Sequence, residues 1–179
     1  LLHVLNSLSE TLGIKLYALH VNHMLRGGEA EEDEHYASKL CNELDIPFKA
    51  VRVDVASMAN ELGLSLEEAG REARYRELFE AARAFGADKI AVAHNRNDQA
   101  ETVMMNIIRG SGTAGMAGMQ YKRGVIIRPL LGICRTDIEL YCREAGLSPR
   151  TDSSNLTGEF TRNKIRLGLF PYIKDNFGI

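Results

Sequence analysis

Two hydrophobic periods alternate along the chain. Leu1, Val4, Leu5, Leu8 and Leu12 recur at helical spacing and predict a helix over residues 1–12, ended by Gly13. Residues 14–21 read as a buried strand that delivers Asn22 and His23 to the sheet edge. After a loop at Arg26, Gly27 and Gly28, an acidic helix is predicted over residues 29–44, with Tyr36, Leu40 and Leu44 inward. Residues 48–53 alternate apolar and charged positions, as a strand does. Ser65 with Glu68 has the Ser-x-x-Glu form of a capping box and starts a helix running to about Phe85, which Gly86 ends.

The pattern then repeats around residues 91–119. A short buried strand over residues 89–93 breaks into a polar turn, His94 to Asn97. A helix is predicted from about Asp98, with Val103, Met104, Ile107 and Ile108 on its apolar face. It ends in the glycine-rich turn Arg109, Gly110, Ser111, Gly112. A glycine- and methionine-rich stretch leads to a strand over residues 125–127, closed by Arg128 and Pro129. Thr136 with Glu139 predicts a second capping box, for a helix ending near Ala145. The remainder is polar and then weakly helical, with Pro171 expected to break it. Strands alternating with helices, joined by long crossovers, predict one α/β domain with a doubly wound, mainly parallel sheet.

Composition adds bounds. The 179 residues are 45% hydrophobic and 26% charged, as in a soluble globular domain. A net charge of −2 gives no bulk attraction to nucleic acid, so any RNA contact must come from local clusters. Three cysteines, Cys41, Cys134 and Cys142, are odd in number and far apart. They fit reduced thiols in the cytoplasm better than a zinc site or a disulfide framework. No apolar run is long enough to span a membrane.

Several residues could carry chemistry. Asp98 lies in a first helical turn at the end of a strand, where open sheets bind ligands. It could cap backbone N–H groups or hold a magnesium ion that carries phosphates. Arg71 and Arg74, three apart, share a helix face; they are either a solvated face paired with Glu67, Glu68 or Glu77, or a phosphate clamp. His94 sits at a strand end, and Arg109 to Gly112 could let a ligand approach the backbone closely. Arg162, Lys164 and Arg166 form the most basic cluster, suited to an RNA backbone or to solvent. Met104, Met105, Met116 and Met119 read as core filler.

The segment Ala93-His94-x-x-x-Asp98-Gln99-Ala100-Glu101-Thr102, with Arg109-Gly110-Ser111-Gly112 and Gly115-Met116-Ala117-Gly118-Met119, resembles the tRNA(Ile)-lysidine synthetases of the PP-loop ATP pyrophosphatase family. Agreement extends to His20-Val21-Asn22-His23 with Arg26-Gly27, to Glu68 through Tyr75, and to Asp152-x-Ser154-Asn155 with Thr161 through Arg166. The chain departs from the family's usual pattern at Asn22, Asn95 and Asn97. It contains no Ser-Gly-Gly-x-Asp-Ser phosphate loop, so it is expected to be truncated at its N-terminus and to lack C-terminal tRNA-binding domains, and on its own to be inactive.

The resemblance implies an adenine-nucleotide alpha-hydrolase-like fold and an enzyme using ATP and Mg2+. It would adenylate the wobble cytidine of tRNA(Ile) with a CAU anticodon, and then ligate free L-lysine to C2. It implies Asp98 as the magnesium ligand, Arg74 as the phosphate clamp and His94 beside the cytidine. It also implies nucleotide or substrate contacts for His20, Asn22, His23, Arg71, Arg109, Gly110, Ser111 and Gly112, and tRNA contacts for Arg162, Lys164 and Arg166. A cytoplasmic protein, as a homodimer, fits that picture. Two alternatives stand beside it: a tRNA-thiolating enzyme of the same group, and a nucleotide-binding module without catalysis.

Overall fold

The computed structural model describes residues 1–150 and 161–178. Asp152, Ser154 and Asn155, named above for their resemblance, lie outside the described residues. The chain divides into two compact units, Leu1–Ile90 and Ala91–Ile179.

In the first unit the predicted opening helix is two helices, α1 (Leu2–Ser7) and α2 (Ser9–Leu12). The break at Leu8 has a local cause. The hydroxyls of Ser7 and Ser9 donate to the carbonyls of Val4 (2.9 Å) and Asn6 (2.7 Å), and such side-chain bonds compete with the helical ladder. Strand β1 (Ala18–Asn22) pairs in parallel with β2 (Phe48–Arg52), in register from Ala18 opposite Phe48 to Asn22 opposite Arg52. Helix α3 (Gly28–Glu43) is the crossover between them.

Helix α4 (Val55–Leu62) is absent from the sequence expectation. Its signals are a start at Asp54, whose carboxylate accepts from the Ser57 N–H at 2.9 Å, and a stop at Gly63 (φ 64°). Helix α5 (Leu66–Phe85) forms as predicted, with the complete Ser65–Glu68 capping box and Gly86 as its left-handed stop. The core of this unit joins Val55 and Ala59 of α4 to Ala69 and Ala73 of α5, flanked by Val53, Met58 and Leu64. Three alanines let the two helices approach closely, and Val55 is the one larger side chain completely enclosed among them.

The second unit opens with β3 (Ile90–Ala91), shorter than expected. It lies beside β5 (Ile126–Ile127), which pairs antiparallel with β4 (Lys122–Arg123). This hairpin was not anticipated. Gly124 makes it, because a glycine at positive φ (60°) opens a two-residue turn that matches strand twist. Helix α6 (Arg96–Ile108) is followed by the short α7 (Thr113–Met116).

Helix α8 (Arg135–Glu144) starts after Cys134, and the predicted Thr136–Glu139 capping box does not form. Glu139 is drawn instead to Arg135, whose Nε donates to it at 2.8 Å. Helix α9 (Thr161–Lys164) runs into a π-helical turn (Ile165–Leu169) and then α10 (Phe170–Phe177). Pro171 does not break this stretch. It sits in the first turn of α10, directly after the π-helical turn, whose wider geometry relieves crowding by its ring. Among the described residues no helix is long and apolar enough to cross a membrane.

Val55→Ala should lower stability by about 2 kcal/mol, since it empties a fully enclosed site. A urea titration reads this as a lower midpoint with an unchanged slope. An unchanged midpoint would show that the α4–α5 contact adds nothing to stability.

Candidate functional site

The predicted site residues fall into two groups, one in each unit. In the first unit, β1 ends at Asn22, and its side chain is a structural tie. Its amide donates to Glu34 (3.0 Å) and to the Ala30 carbonyl (3.3 Å), while its oxygen accepts from the Met24 N–H (3.0 Å). Asn22 is buried and spends its polar groups holding the end of β1 to α3.

His23, next along, packs against α5. A Cβ added at Gly70 would lie 3.2 Å from two atoms of the His23 ring, so the imidazole rests on bare backbone there. Burial, and then the positive charge of Arg74, push the His23 pKa down to about 4, so the ring is neutral at physiological pH. Its Nε2 is buried and finds no partner among the described residues. Burial lowers the His20 pKa as well, against a partial pull upward from Glu34 and Asp33.

Arg71 and Arg74 project from α5 and are exposed. Arg71 lies over the Tyr75 ring, 5.0 Å from its centre. Among the described residues neither guanidinium pairs with a carboxylate. The carboxylates that could have taken them are otherwise engaged: Glu68 closes the capping box and Glu77 pairs with Arg76 at 3.1 Å. Crowding by protein atoms lowers the Arg74 pKa from its ordinary value, and neighbouring Arg71 adds to this. Two other arginines of this unit are held by carboxylates: Arg26 by Asp33 (2.8 Å) and Arg52 by Glu34 (3.2 Å). Two uncompensated cations on one helix face, beside a neutral histidine, form a place for an anion.

In the second unit the turn after β3 leads to the start of α6. Helix α6 begins two residues earlier than expected, because Asn95 is the cap. The Asn95 side chain accepts from the N–H groups of Asn97 (2.9 Å) and Asp98 (3.2 Å), and Asp98 Oδ2 accepts from the Asn95 N–H at 2.9 Å. The capping role of Asp98 is therefore present, through one oxygen only. The other, Oδ1, faces Arg166 Nη2 at 3.7 Å, outside hydrogen-bond reach. His94 is half-buried immediately before the cap. The start of α6 is tied to the segment before α8: Arg96 N–H donates to the Ile133 carbonyl (2.9 Å), Asn97 accepts from the Arg135 N–H (3.1 Å), and the Arg96 guanidinium meets Cys134 Sγ.

The glycine-rich turn does different work from a phosphate cradle. It lies at the carboxyl end of α6, the negative end of the helix dipole, and the N–H groups of Gly110 and Ser111 donate to the Ile107 and Asn106 carbonyls. Arg109, Gly110, Ser111 and Gly112 are exposed. The glycines beyond serve packing against α6. Gln99 accepts from the Met119 N–H (2.7 Å) and donates to its carbonyl (3.1 Å), and Asn106 donates to the Gly115 carbonyl (2.7 Å). A Cβ at Gly118, itself at φ 64°, would sit 2.7–2.8 Å from the Gln99 amide.

The basic cluster divides. Lys164 is exposed, whereas Arg162 and Arg166 turn onto Glu101, which is only 1% exposed. Arg166 binds it through Nε (2.7 Å) and Nη2 (3.1 Å), and Arg162 Nε approaches at 3.7 Å. The Glu101 hydrogen bond raises the Arg166 pKa. Two of the three cations expected to face RNA are thus internal counter-charges. Glu101 was quoted from the sequence only as part of a motif. The signal that could have found it is its place three residues after Asp98, with arginines four apart, at 162 and 166, to match.

Among the described residues no three His, Cys, Asp or Glu side chains gather as a metal cage. The residues fit magnesium in its sparser mode, one carboxylate with water and phosphate oxygens completing the shell, and Asp98 Oδ1, 3.7 Å from Arg166 Nη2, is the oxygen not engaged in the cap.

Residues 1–173 match the family model of the PP-loop domain. The chain belongs to the PP-loop family. The model is that of an ATP-binding domain, and the doubly wound α/β expectation agrees with it. Among relatives of this PP-loop chain, the tRNA(Ile)-lysidine synthase of Clostridioides difficile (strain 630) is 50% identical over 178 residues, covering 99% of the chain and 38% of that protein. That of Clostridium acetobutylicum is 51% identical over 178 residues, covering 99% of the chain and 39% of that protein. The chain thus spans well under half the length of the curated relatives it matches. In fold it is similar to the U34-tRNA thiolase NcsA from Methanococcus maripaludis, with TM-score 0.72 and 21% identity over 98% of this chain and 61% of that one. That likeness shows the fold alone.

His23 makes the PP-loop chain acid-sensitive in a defined window. Its folded pKa, about 4, lies below its ordinary 6.5, so the unfolded chain takes up the proton first. Stability should therefore fall as pH drops from about 6.5 to about 4, by about 1–2 kcal/mol once solvent screening of the partly exposed ring is allowed for, and level off below. His20 acts in the same direction. Urea titrations between pH 7 and 4 should show a shallower decline for His23→Gln; identical slopes would mean that the ring titrates normally.

Proposed function

We propose that this chain is the ATP-binding part of a tRNA(Ile)-lysidine synthase. The observation that carries the reading is identity of 50–51% over 99% of the chain with proteins of that name. The reaction is ligation of L-lysine to C2 of the wobble cytidine of a tRNA(Ile) with a CAU anticodon. The C2 oxygen attacks the α-phosphorus of ATP and pyrophosphate leaves. The neutral amine of lysine then adds at C2, and AMP departs with the oxygen. The protein works in the cytoplasm, and the homodimer belongs to the same reading.

Residues of each unit support this separately. Arg74 and Arg71 offer two guanidinium groups with no carboxylate partner among the described residues, and a fork of this kind binds phosphate oxygens in bidentate fashion. His23, neutral and packed on Gly70, brings a ring nitrogen beside Arg74 without adding charge. Asp98 keeps one carboxylate oxygen for magnesium, which when bound would offset charge on the phosphates. His94, at the strand end before the α6 cap, orients the base. Asn22 and Glu101 hold the scaffold. Lys164 meets the tRNA backbone, while Arg162 and Arg166 stay on Glu101.

Asp98→Asn, in the full-length protein, tests the metal role apart from the cap. Asn can still accept from the Asn95 N–H, and it caps about as well as Asp, so melting temperature should change little. Adenylation, read as pyrophosphate release, should fall on the order of a hundredfold and recover partly with added magnesium. Near-normal turnover with a lowered melting temperature would make Asp98 a structural cap only.

The divided basic cluster gives a separate test. Lys164→Ala should flatten the slope of log tRNA affinity against log salt by about one unit, without loss of stability. Arg166→Ala should instead destabilise the fold by about 3–5 kcal/mol, because Glu101 would be left buried with its bidentate partner gone. A salt slope unchanged by Lys164→Ala would take this lysine off the RNA.

A further inference from the structure

Arg128 is a buried cation that the proposed function does not use. It directly follows β5, is 5% exposed, and sits where the strand hands over to the segment before α8. Ile127, the residue before it, accepts a hydrogen bond from the Val92 N–H (3.0 Å), and Val92 lies two residues before His94. The end of β5, which Arg128 follows, therefore lies beside the strand that leads into the turn with His94, Asn95 and Asp98.

Its hydrogen bonds are one-sided. Nη1 donates to the Gln120 carbonyl at 2.8 Å, which pins the guanidinium by one corner. Nε is buried and meets no acceptor among the described residues. No carboxylate among them pairs with Arg128, in contrast to Arg166 in the same unit with Glu101. A buried charge without a counter-charge is costly, and a buried donor without an acceptor adds to that cost. The edge left over is Nε with Nη2, the edge through which arginine grips two oxygens of a carboxylate or phosphate.

We infer that Arg128 is an oxyanion-binding residue of this site, gripping the carboxylate of the amino-acid substrate or a phosphate of the nucleotide. The inference rests on the lysine-ligase reading, which names those two sources. A carboxylate contact would make Arg128 the group that separates a free amino acid from a simple amine, a selection that nothing else described here performs.

The test uses the full-length protein, with Arg128→Gln and Arg128→Lys beside the wild type. The Michaelis constants for ATP, L-lysine and L-lysinamide are measured together with melting temperature. If Arg128 grips the carboxylate, both variants raise KM for lysine at least tenfold, leave KM for ATP unchanged and lose the preference for lysine over lysinamide. If it grips a phosphate, KM for ATP rises at least tenfold and the lysine-to-lysinamide ratio stays as in the wild type. Folded variants with both constants within twofold of wild type and a lowered melting temperature would overturn the inference, since the counter-charge would then come from the chain itself.

Should neither variant fold, wild-type protein is titrated with inorganic pyrophosphate, L-lysine and L-lysinamide. Thermal stabilisation by lysine and not lysinamide, or by pyrophosphate in protein that carries Arg71→Ala and Arg74→Ala, supports the inference; stabilisation by neither overturns it. Wild type that ligates no lysine to tRNA would sink the functional reading itself, and pyrophosphate binding by the Arg71→Ala, Arg74→Ala protein then judges Arg128 independently.

Discussion

A carboxylate cannot stay inside a protein alone, and Glu101 obliges the second unit to surround it. At 1% exposure it needs a full counter-charge, and Arg166 supplies one through two parallel hydrogen bonds, with Arg162 close behind. Removing one partner from such a pair costs about 3–5 kcal/mol, far more than a surface ion pair is worth. The constraint joins parts of the chain sixty-five residues apart and holds α9 and the π-helical turn against α6. It also fixes the roll of α6 about its axis, and hence where Asp98, one turn earlier on the same face, presents its free oxygen.

The first unit solves the opposite problem. Its polar groups near the end of β1 are shared unequally: Asn22, Glu34, Arg52, Arg26 and Asp33 satisfy one another, while Arg71 and Arg74 are left over. Gly70 lets the His23 ring come close enough to lie beside Arg74, and burial keeps that ring uncharged. An imidazolium there would put a third positive charge on the face and be repelled by Arg74. The low pKa of His23 thus protects the charge balance of the face.

Much of this was legible in the sequence, and the failures share a cause. Strong local codes were read correctly: the Ser65–Glu68 box and the glycine stops at Gly13 and Gly86 all formed. Asp98 as a cap was one of two stated alternatives, and its capping bond is present. The errors arose where a competing partner, near or far along the chain, overrode a local pattern. Thr136 and Glu139 match a capping box, but Arg135 takes Glu139. Arg162 and Arg166 looked like a solvent-facing stripe because their partner lies sixty residues upstream. The α4 helix was missed for a milder reason, since eight residues give too little periodicity to stand out. Arg109 to Gly112 shows a further limit: a cluster of glycines does not say which of them is approached closely, and here open space surrounds Gly110 and Gly112 while Gly118 meets Gln99 of α6.

The π-helical turn at Ile165–Leu169 carries Arg166 and directly precedes the turn that holds Pro171. A π turn contains one residue more than an α turn, so it works as an insertion stored within a continuous helix. Deleting any one of its residues would let the helix close into ordinary α geometry, turning everything on one side by about 100° relative to the other. The Glu101 pair and the exposed face of α10 could not both survive that rotation. Length in this segment is therefore under tighter restraint than identity: a conservative replacement at Leu167 or Gly168, both exposed, is absorbed locally, whereas loss of a single residue is felt across the whole unit.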